Sequence, residues 1–138
     1  MKRIEVAGAV IFNDRGEILC AQRSPSMSLP GMWEFPGGKI EPGESPESCL
    51  VREIREELDC LIEVHEQIAD ATHQYPNLSV RLITFKAAIK EGAPVPKEHA
   101  RLVWLPLSEI ATLDWAPADI PTVRALLAND HSSILPNQ

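Results

Sequence analysis

The chain has 138 residues, 44% of them hydrophobic, and its 13 basic and 20 acidic side chains give a net charge of −7. That length suits one domain with a moderate core, and the acidic balance disfavours a nucleic-acid polymer as partner, since neutralising a phosphate backbone needs clustered Lys and Arg. No apolar run of roughly 18 residues and no signal-peptide pattern occur, which points to a soluble cytoplasmic protein with no membrane partner.

Residues 4–12 and 17–22 read as strands joined by Asn13-Asp14-Arg15-Gly16, a hairpin-turn composition. Trp33-Glu34-Phe35 reads as a short strand, Pro36-Gly37-Gly38 as a tight turn and Pro42-Gly43 as a second turn. A helix follows. Ser45 caps its amino end, Pro46 suits the first helical position, Glu47 favours the positive end of the dipole, and no Gly or Pro interrupts through Leu58. Asp59 then suits the left-handed helix end, as one of the few residues besides Gly that tolerate it. Ile83, Phe85, Ala87 and Ile89 alternate with more polar neighbours and predict a half-buried strand, and residues 102–105 a shorter one. Residues 108–113 suggest a helical turn and residues 120–127 a terminal helix. A single domain is expected over residues 1–130, with residues 131–138 a loose tail. Periodicity alone gives α/β or α+β.

At about 100° per residue, Leu50, Val51, Ile54 and Leu58 share one arc of the helix, and Glu53, Glu56 and Glu57 share the next. Three neighbouring carboxylates repel, and clustered hard oxygens without His or Cys suit Mg²⁺ or Mn²⁺. The sequence Arg52 to Leu58 alone reads more often as a solvated charged face. The strand, glycine loop and capped helix around it favour a site. Neither GxxxxGK[ST] nor GxGxxG occurs, so a P-loop motor and a doubly wound dinucleotide fold have no support. Cys20, Cys49 and Cys60 are odd in number and lack CxxC spacing, so reduced thiols are expected. His65, His73, His99 and His131 lack ligand spacing, and a packing or surface role is expected for each.

Gly38, Glu44 and Arg52-Glu53-Ile54-Arg55-Glu56-Glu57 stand at the intervals of the Nudix box, and the chain resembles the Nudix hydrolases. A chance match at seven such positions is on the order of one in a million. Two positions depart from the pattern: Asp59 stands where glycine is usual and Cys60 where an aliphatic residue is commoner. The resemblance implies an α/β (α+β) Nudix fold, a mixed β-sheet sandwiched between helices. It implies water attack on a phosphoanhydride, with Mg²⁺ (Mn²⁺ as substitute) bound by Glu53, Glu56, Glu57 and the Gly37 carbonyl. Arg52 would orient a neighbouring carboxylate through a bidentate pair. Glu44 would act through a bound water or by orienting Arg52. Glu98 is either a further metal ligand or base, or an exposed loop acid. The proton acceptor is Glu53 or Glu98.

Residues 21–23, 31–39 and 116–121 extend the resemblance to the MutT-type branch, which converts nucleoside triphosphates to monophosphate and pyrophosphate. Arg23 and Lys39 would then meet phosphates, Phe35 would pack on the base, and Asp119 would face the base edge or, alternatively, cap the helix that follows it. Asp119 and Leu78 stand where the 8-oxo-dGTP enzymes of that branch carry Asn and Arg. The 116–121 stretch and Glu98-His99 more closely resemble its CTP-hydrolysing members. The expectation is a CTP, dCTP or modified-pyrimidine pyrophosphohydrolase serving nucleotide-pool sanitation, as a monomer or homodimer. An 8-oxo-dGTP diphosphatase acting in DNA repair is the alternative. A non-catalytic nucleotide-binding module is a further one, disfavoured because the box has lost no glutamate.

Overall fold

The computed structural model describes residues 2–129. The expected tail at residues 131–138 lies outside them. In chain order the elements are strands β1 (Lys2–Phe12), β2 (Ile18–Gln22), β3 (Trp33–Glu34) and β4 (Gly37–Lys39), then helix α1 (Pro46–Leu58). Strands β5 (Leu61–Tyr75), β6 (Leu78–Glu91) and β7 (Arg101–Leu105) follow, then two 3₁₀ turns (Leu107–Thr112 and Pro117–Asp119) and helix α2 (Ile120–Ala128). The seven strands form one mixed sheet in the order β3-β2-β1-β6-β5, with β4 paired to β1 and β7 to β2. Strand β1 runs parallel to β6 from Lys2 opposite Leu78 to Phe12 opposite Ala88, and antiparallel to its other neighbours.

The apolar run in β1 is continuous because both faces of that strand are covered. Ala7, Ala9 and Ile11 join one core with Leu50, Ile54 and Leu58 of α1. Val10 points the other way, into a second core with Trp33, Phe35, Ile110, Trp115 and Val123 of α2. The sheet therefore lies between α1 on one side and the second 3₁₀ turn and α2 on the other, an α+β arrangement as expected. Burial of Leu50, Ile54 and Leu58 contributes roughly 2 kcal/mol each, and Ile54→Ala would cost about 3 kcal/mol. Among the described residues no helix is long and apolar enough to cross a membrane.

Helix α1 has the predicted ends. Ser45 Oγ accepts the Ser48 amide at 3.1 Å, and Asp59 takes the left-handed conformation at φ 56°. Three other elements differ from expectation. Gly37 and Gly38 do not form a tight turn but pair with β1 as β4, with Ala7 opposite Gly38 and Gly8 opposite Gly37. The approach is so close that a Cβ on Gly37 would lie 1.9 Å from the Ala7 carbonyl oxygen. The 15-residue β5 has no clean alternation of apolar residues, because its register against β6 shifts three times, between Leu61 and Ile62, between Val64 and Gln67 and between Gln67 and Ala69. Strand β6 begins five residues before the apolar alternation at Ile83.

Candidate active site

Glycine at two successive positions lets β4 lie against both β1 and the acidic face of α1. A Cβ on Gly38 would fall 2.3 Å from Glu53 Cδ, so the Glu53 carboxylate occupies the space a side chain would fill. Arg52 fixes this carboxylate from the opposite side, its Nη1 donating to Glu53 Oε2 at 3.0 Å and to Glu56 Oε1 at 3.3 Å. The other edge of the guanidinium grips Glu44 bidentately, with Nε to Oε2 at 2.7 Å and Nη2 to Oε1 at 3.0 Å. Glu44 also accepts the Glu41 amide at 2.9 Å, so it ties the loop before the helix to Arg52. The Arg52 hydrogen bond, and then that amide, hold the Glu44 carboxyl down at about 2.

Glu57 lies one turn beyond Glu53 and is 8% exposed. Its Oε1 is buried without a partner among the described residues. Burial pushes its carboxyl up to about 10, and a hydrogen bond from Glu57 to Glu53, the Glu53 charge, Glu34 and Glu98 push in the same direction. Glu56 stays on the rim, its side chain 56% exposed. Glu98 is exposed in the segment between β6 and β7. Among the described residues no three His, Cys, Asp or Glu side chains converge to enclose an ion by themselves. The donor set nonetheless fits Mg²⁺ or Mn²⁺. Two adjoining carboxyl groups, one with an orphaned buried oxygen, can both ionise only beside positive charge, and Mg²⁺ keeps waters and substrate oxygens among its ligands.

Next to this acidic face is a cleft of about 310 Å³ lined by Arg23, Glu34, Gly38, Lys39, Glu57 and His99. It continues, through shared walls at Val6, Arg23, Glu34 and Gly37, into a more apolar cavity of about 450 Å³. Phe35, Tyr75, Leu78, Val80, Ala118 and Asp119 line that cavity. The Phe35 ring stacks on Trp115 with centroids 4.5 Å apart. Asp119 makes no capping bond to α2. Its Oδ1 accepts the Phe35 amide at 3.0 Å, and it is 6% exposed. Burial raises its carboxyl to about 8, with Glu34 adding to the push. Tyr75 Oη accepts the Ala118 amide at 3.2 Å and so joins the β5–β6 hairpin to the segment that carries Asp119.

Arg23 stands where cavity and cleft meet. Its Nη1 donates to Glu34 Oε1 at 2.5 Å, and Ser28 holds the rest of the guanidinium through its carbonyl at 2.5 Å and its hydroxyl at 2.9 Å. Glu34 Oε2 lies 2.8 Å from His99 Nε2. Lys39 is exposed at the lip of the cleft. The structure thus gathers Arg23, Gly37, Lys39 and Glu57 around one cleft, with Glu53 against its Gly38 wall, Phe35 and Asp119 in the adjoining cavity, and Glu44, Arg52 and Glu56 on the far side of Glu53 or at the exposed rim. Sequence reasoning missed Glu34, Tyr75 and the inward placement of His99. A signal existed for Glu34: in a strand, burying Trp33 and Phe35 on one face turns the residue between them to the other.

The NUDIX domain family model matches residues 2–126. The chain is 41% identical over 128 residues to the CTP pyrophosphohydrolase of Escherichia coli K12, covering 93% of this chain and 94% of the relative. It is 31% identical over 126 residues to the 8-oxo-dGTP diphosphatase of the same organism, covering 91% and 98%. The solution structure of the E. coli ORF135 protein superposes with a TM-score of 0.80 at 38% identity, covering 100% of this chain and 96% of that one. MutT from methicillin-resistant Staphylococcus aureus gives 0.75 at 47% identity, covering 93% and 98%. With the family model matched along nearly the whole chain and Glu57 of the box lining the cleft, the chain belongs to the Nudix hydrolase family.

Proposed function

We propose that the chain is a divalent-metal-dependent pyrophosphohydrolase that converts a nucleoside triphosphate and water to the monophosphate and pyrophosphate, with CTP, dCTP or a modified pyrimidine nucleotide as its preferred substrate. The observation that carries this reading is the junction of the two spaces. A cavity fit for a base, with Phe35 and Asp119 in its walls, opens at Arg23 onto the cleft beside Glu53 and Glu57.

In this reading Asp119 recognises the base edge. A carboxyl held protonated near neutral pH both donates and accepts, matching N3 and the 4-amino group of cytosine. Leu78 contributes an apolar wall and no donor. Arg23, already oriented by Glu34 and Ser28, and Lys39 at the lip bind phosphate oxygens. Glu53, Glu57 and the Gly37 carbonyl would hold Mg²⁺ or Mn²⁺, with Glu56 and Glu98 as further ligands, and such an ion would supply phosphate-charge neutralisation and a more acidic water. Arg52, anchored by Glu44, keeps Glu53 on β4. Because Glu53 is held between Arg52 and Gly38, Glu98 is assigned as proton acceptor. The water oxygen bonds to the α- or β-phosphorus, the P–O bond of the α,β-bridge to that phosphorus breaks, the electron pair stays on the bridging oxygen of the departing pyrophosphate or nucleoside monophosphate, and the water proton passes to Glu98.

The second reading, an 8-oxo-dGTP diphosphatase, rests on the same Asp119 chemistry, since a protonated carboxyl also pairs with a purine edge that offers one donor and one acceptor. Measuring kcat/KM with Mg²⁺ over CTP, dCTP, 5-substituted dCTP, dGTP and 8-oxo-dGTP decides between them. A preference for pyrimidines supports the first, and a preference for 8-oxo-dGTP overturns it in favour of the second.

A further inference from the structure

The segment from residue 95 to residue 100 is exposed except at His99, whose side chain is 1% accessible. Its backbone is held on two sides. The Val95 amide donates to Leu58 O at 2.8 Å and the Lys97 amide to Glu57 O at 3.3 Å, both at the end of α1, while the Ala100 amide donates to Gln22 O at 2.9 Å at the end of β2. It therefore spans the gap between helix and sheet as a strap. Glu98 lies on the span itself, next to Lys97, whose amide holds the strap to the Glu57 carbonyl. The His99 side chain turns inward to Glu34, the same carboxylate that orients Arg23.

His99 is an expensive way to fill that space. Its Nδ1 is buried with no hydrogen-bond partner among the described residues, and leaving a buried polar atom unpaired is destabilising. An aliphatic side chain would fill the volume without that penalty. What an imidazole supplies and an aliphatic group does not is a directional bond from Nε2 to Glu34. We infer that His99 is a positioning residue for the reaction, which acts through its bond to Glu34 to hold the strap that sets Glu98 over Glu57. The inference rests on the proposed role of Glu98. It also makes Glu34 a joint between Arg23 and the strap, so that the phosphate-binding side and the proton-accepting side of the cleft share one anchor.

A double-mutant cycle tests this. His99→Leu and His99→Gln are each made in the wild type and in Glu98→Gln, with pyrophosphate release from CTP followed as Mg²⁺ is titrated and folding followed by thermal melts. His99→Leu is expected to lower kcat by about tenfold with KM little changed, and to raise the half-activating Mg²⁺ concentration as Glu98→Gln does. In the Glu98→Gln background the same change is expected to cost less than about twofold, because residues acting through one another do not add. His99→Gln, whose amide can donate to Glu34, recovers most of the rate. The same fold-loss in both backgrounds, or His99→Gln as slow as His99→Leu while melting like wild type, overturns the inference. A Glu98→Gln enzyme with unchanged kcat overturns the role of Glu98, and with it this inference.

Discussion

Asp119 turns its carboxylate away from the helix it precedes and accepts the amide of Phe35, 84 positions earlier, at 3.0 Å. The bond joins two residues in the wall of the apolar cavity, and burial raises the acid to about 8. Unfolded, the same group ionises near 3.8, so between these values the folded chain binds the extra proton and stability falls as pH rises. Asp119→Asn keeps an acceptor for Phe35 and removes the titration. It is expected to melt above wild type at about pH 9, with the gain shrinking as pH falls toward about 4. A gain that is constant with pH in melting curves would show that Asp119 does not carry this titration.

Gly37 and Gly38 separate folding from function within one dipeptide. A methyl at 37 meets the Ala7 carbonyl, which is backbone, whereas a methyl at 38 meets the Glu53 carboxylate, the movable end of a side chain. Gly37→Ala should therefore lower the melting temperature by many degrees or prevent folding. Gly38→Ala should fold and melt close to wild type with kcat reduced about a hundredfold or more. Circular dichroism melts paired with rates on the two variants check the contrast.

Glu44 touches neither cavity in which substrate is proposed to sit, yet it holds two of the three nitrogens of Arg52. Glu44→Gln leaves that guanidinium one acceptor oxygen in place of two and no negative charge, and Arg52 then orients Glu53 less firmly. The expected result is a fall in kcat of about ten- to a hundredfold with KM for the nucleotide little changed. A change in KM alone would place Glu44 in substrate binding instead.

Tyr75 is hydrogen-bonded to the Asp119 wall through its hydroxyl, which accepts the Ala118 amide. Tyr75→Phe leaves the ring in the cavity and loosens the join. Its kcat/KM is expected to fall about three- to tenfold on the preferred base, while discrimination between bases narrows. Rates on two nucleotides that differ only in the base measure this.

How much of this was readable in advance depended on sequence separation. Helix α1 was legible to the residue at both ends, because Ser45, Pro46 and Asp59 act within a turn of the positions they cap. The acidic face was legible for the same reason. Strand β5 was not, because it is largely polar and three shifts of register break its period of two. Pro36-Gly37-Gly38 carried a true glycine signal with two meanings, a turn or a close approach, and only the position of β1 beside it selects the second. Glu34 and His99 are 65 positions apart, and a lone histidine without ligand spacing gives no hint of a carboxylate waiting across the fold.

The central proposal is that the α1 carboxylates hold a divalent cation against a phosphoanhydride. The most direct measurement is ³¹P NMR of CTP incubated with wild type and Glu53→Gln while Mg²⁺ is titrated. Expected are CMP and pyrophosphate in equal amounts, no turnover without a divalent ion, and a loss of about a thousandfold or more in Glu53→Gln with its fold retained. Near-normal turnover by Glu53→Gln, metal-independent cleavage, or release of CDP and inorganic phosphate would contradict it.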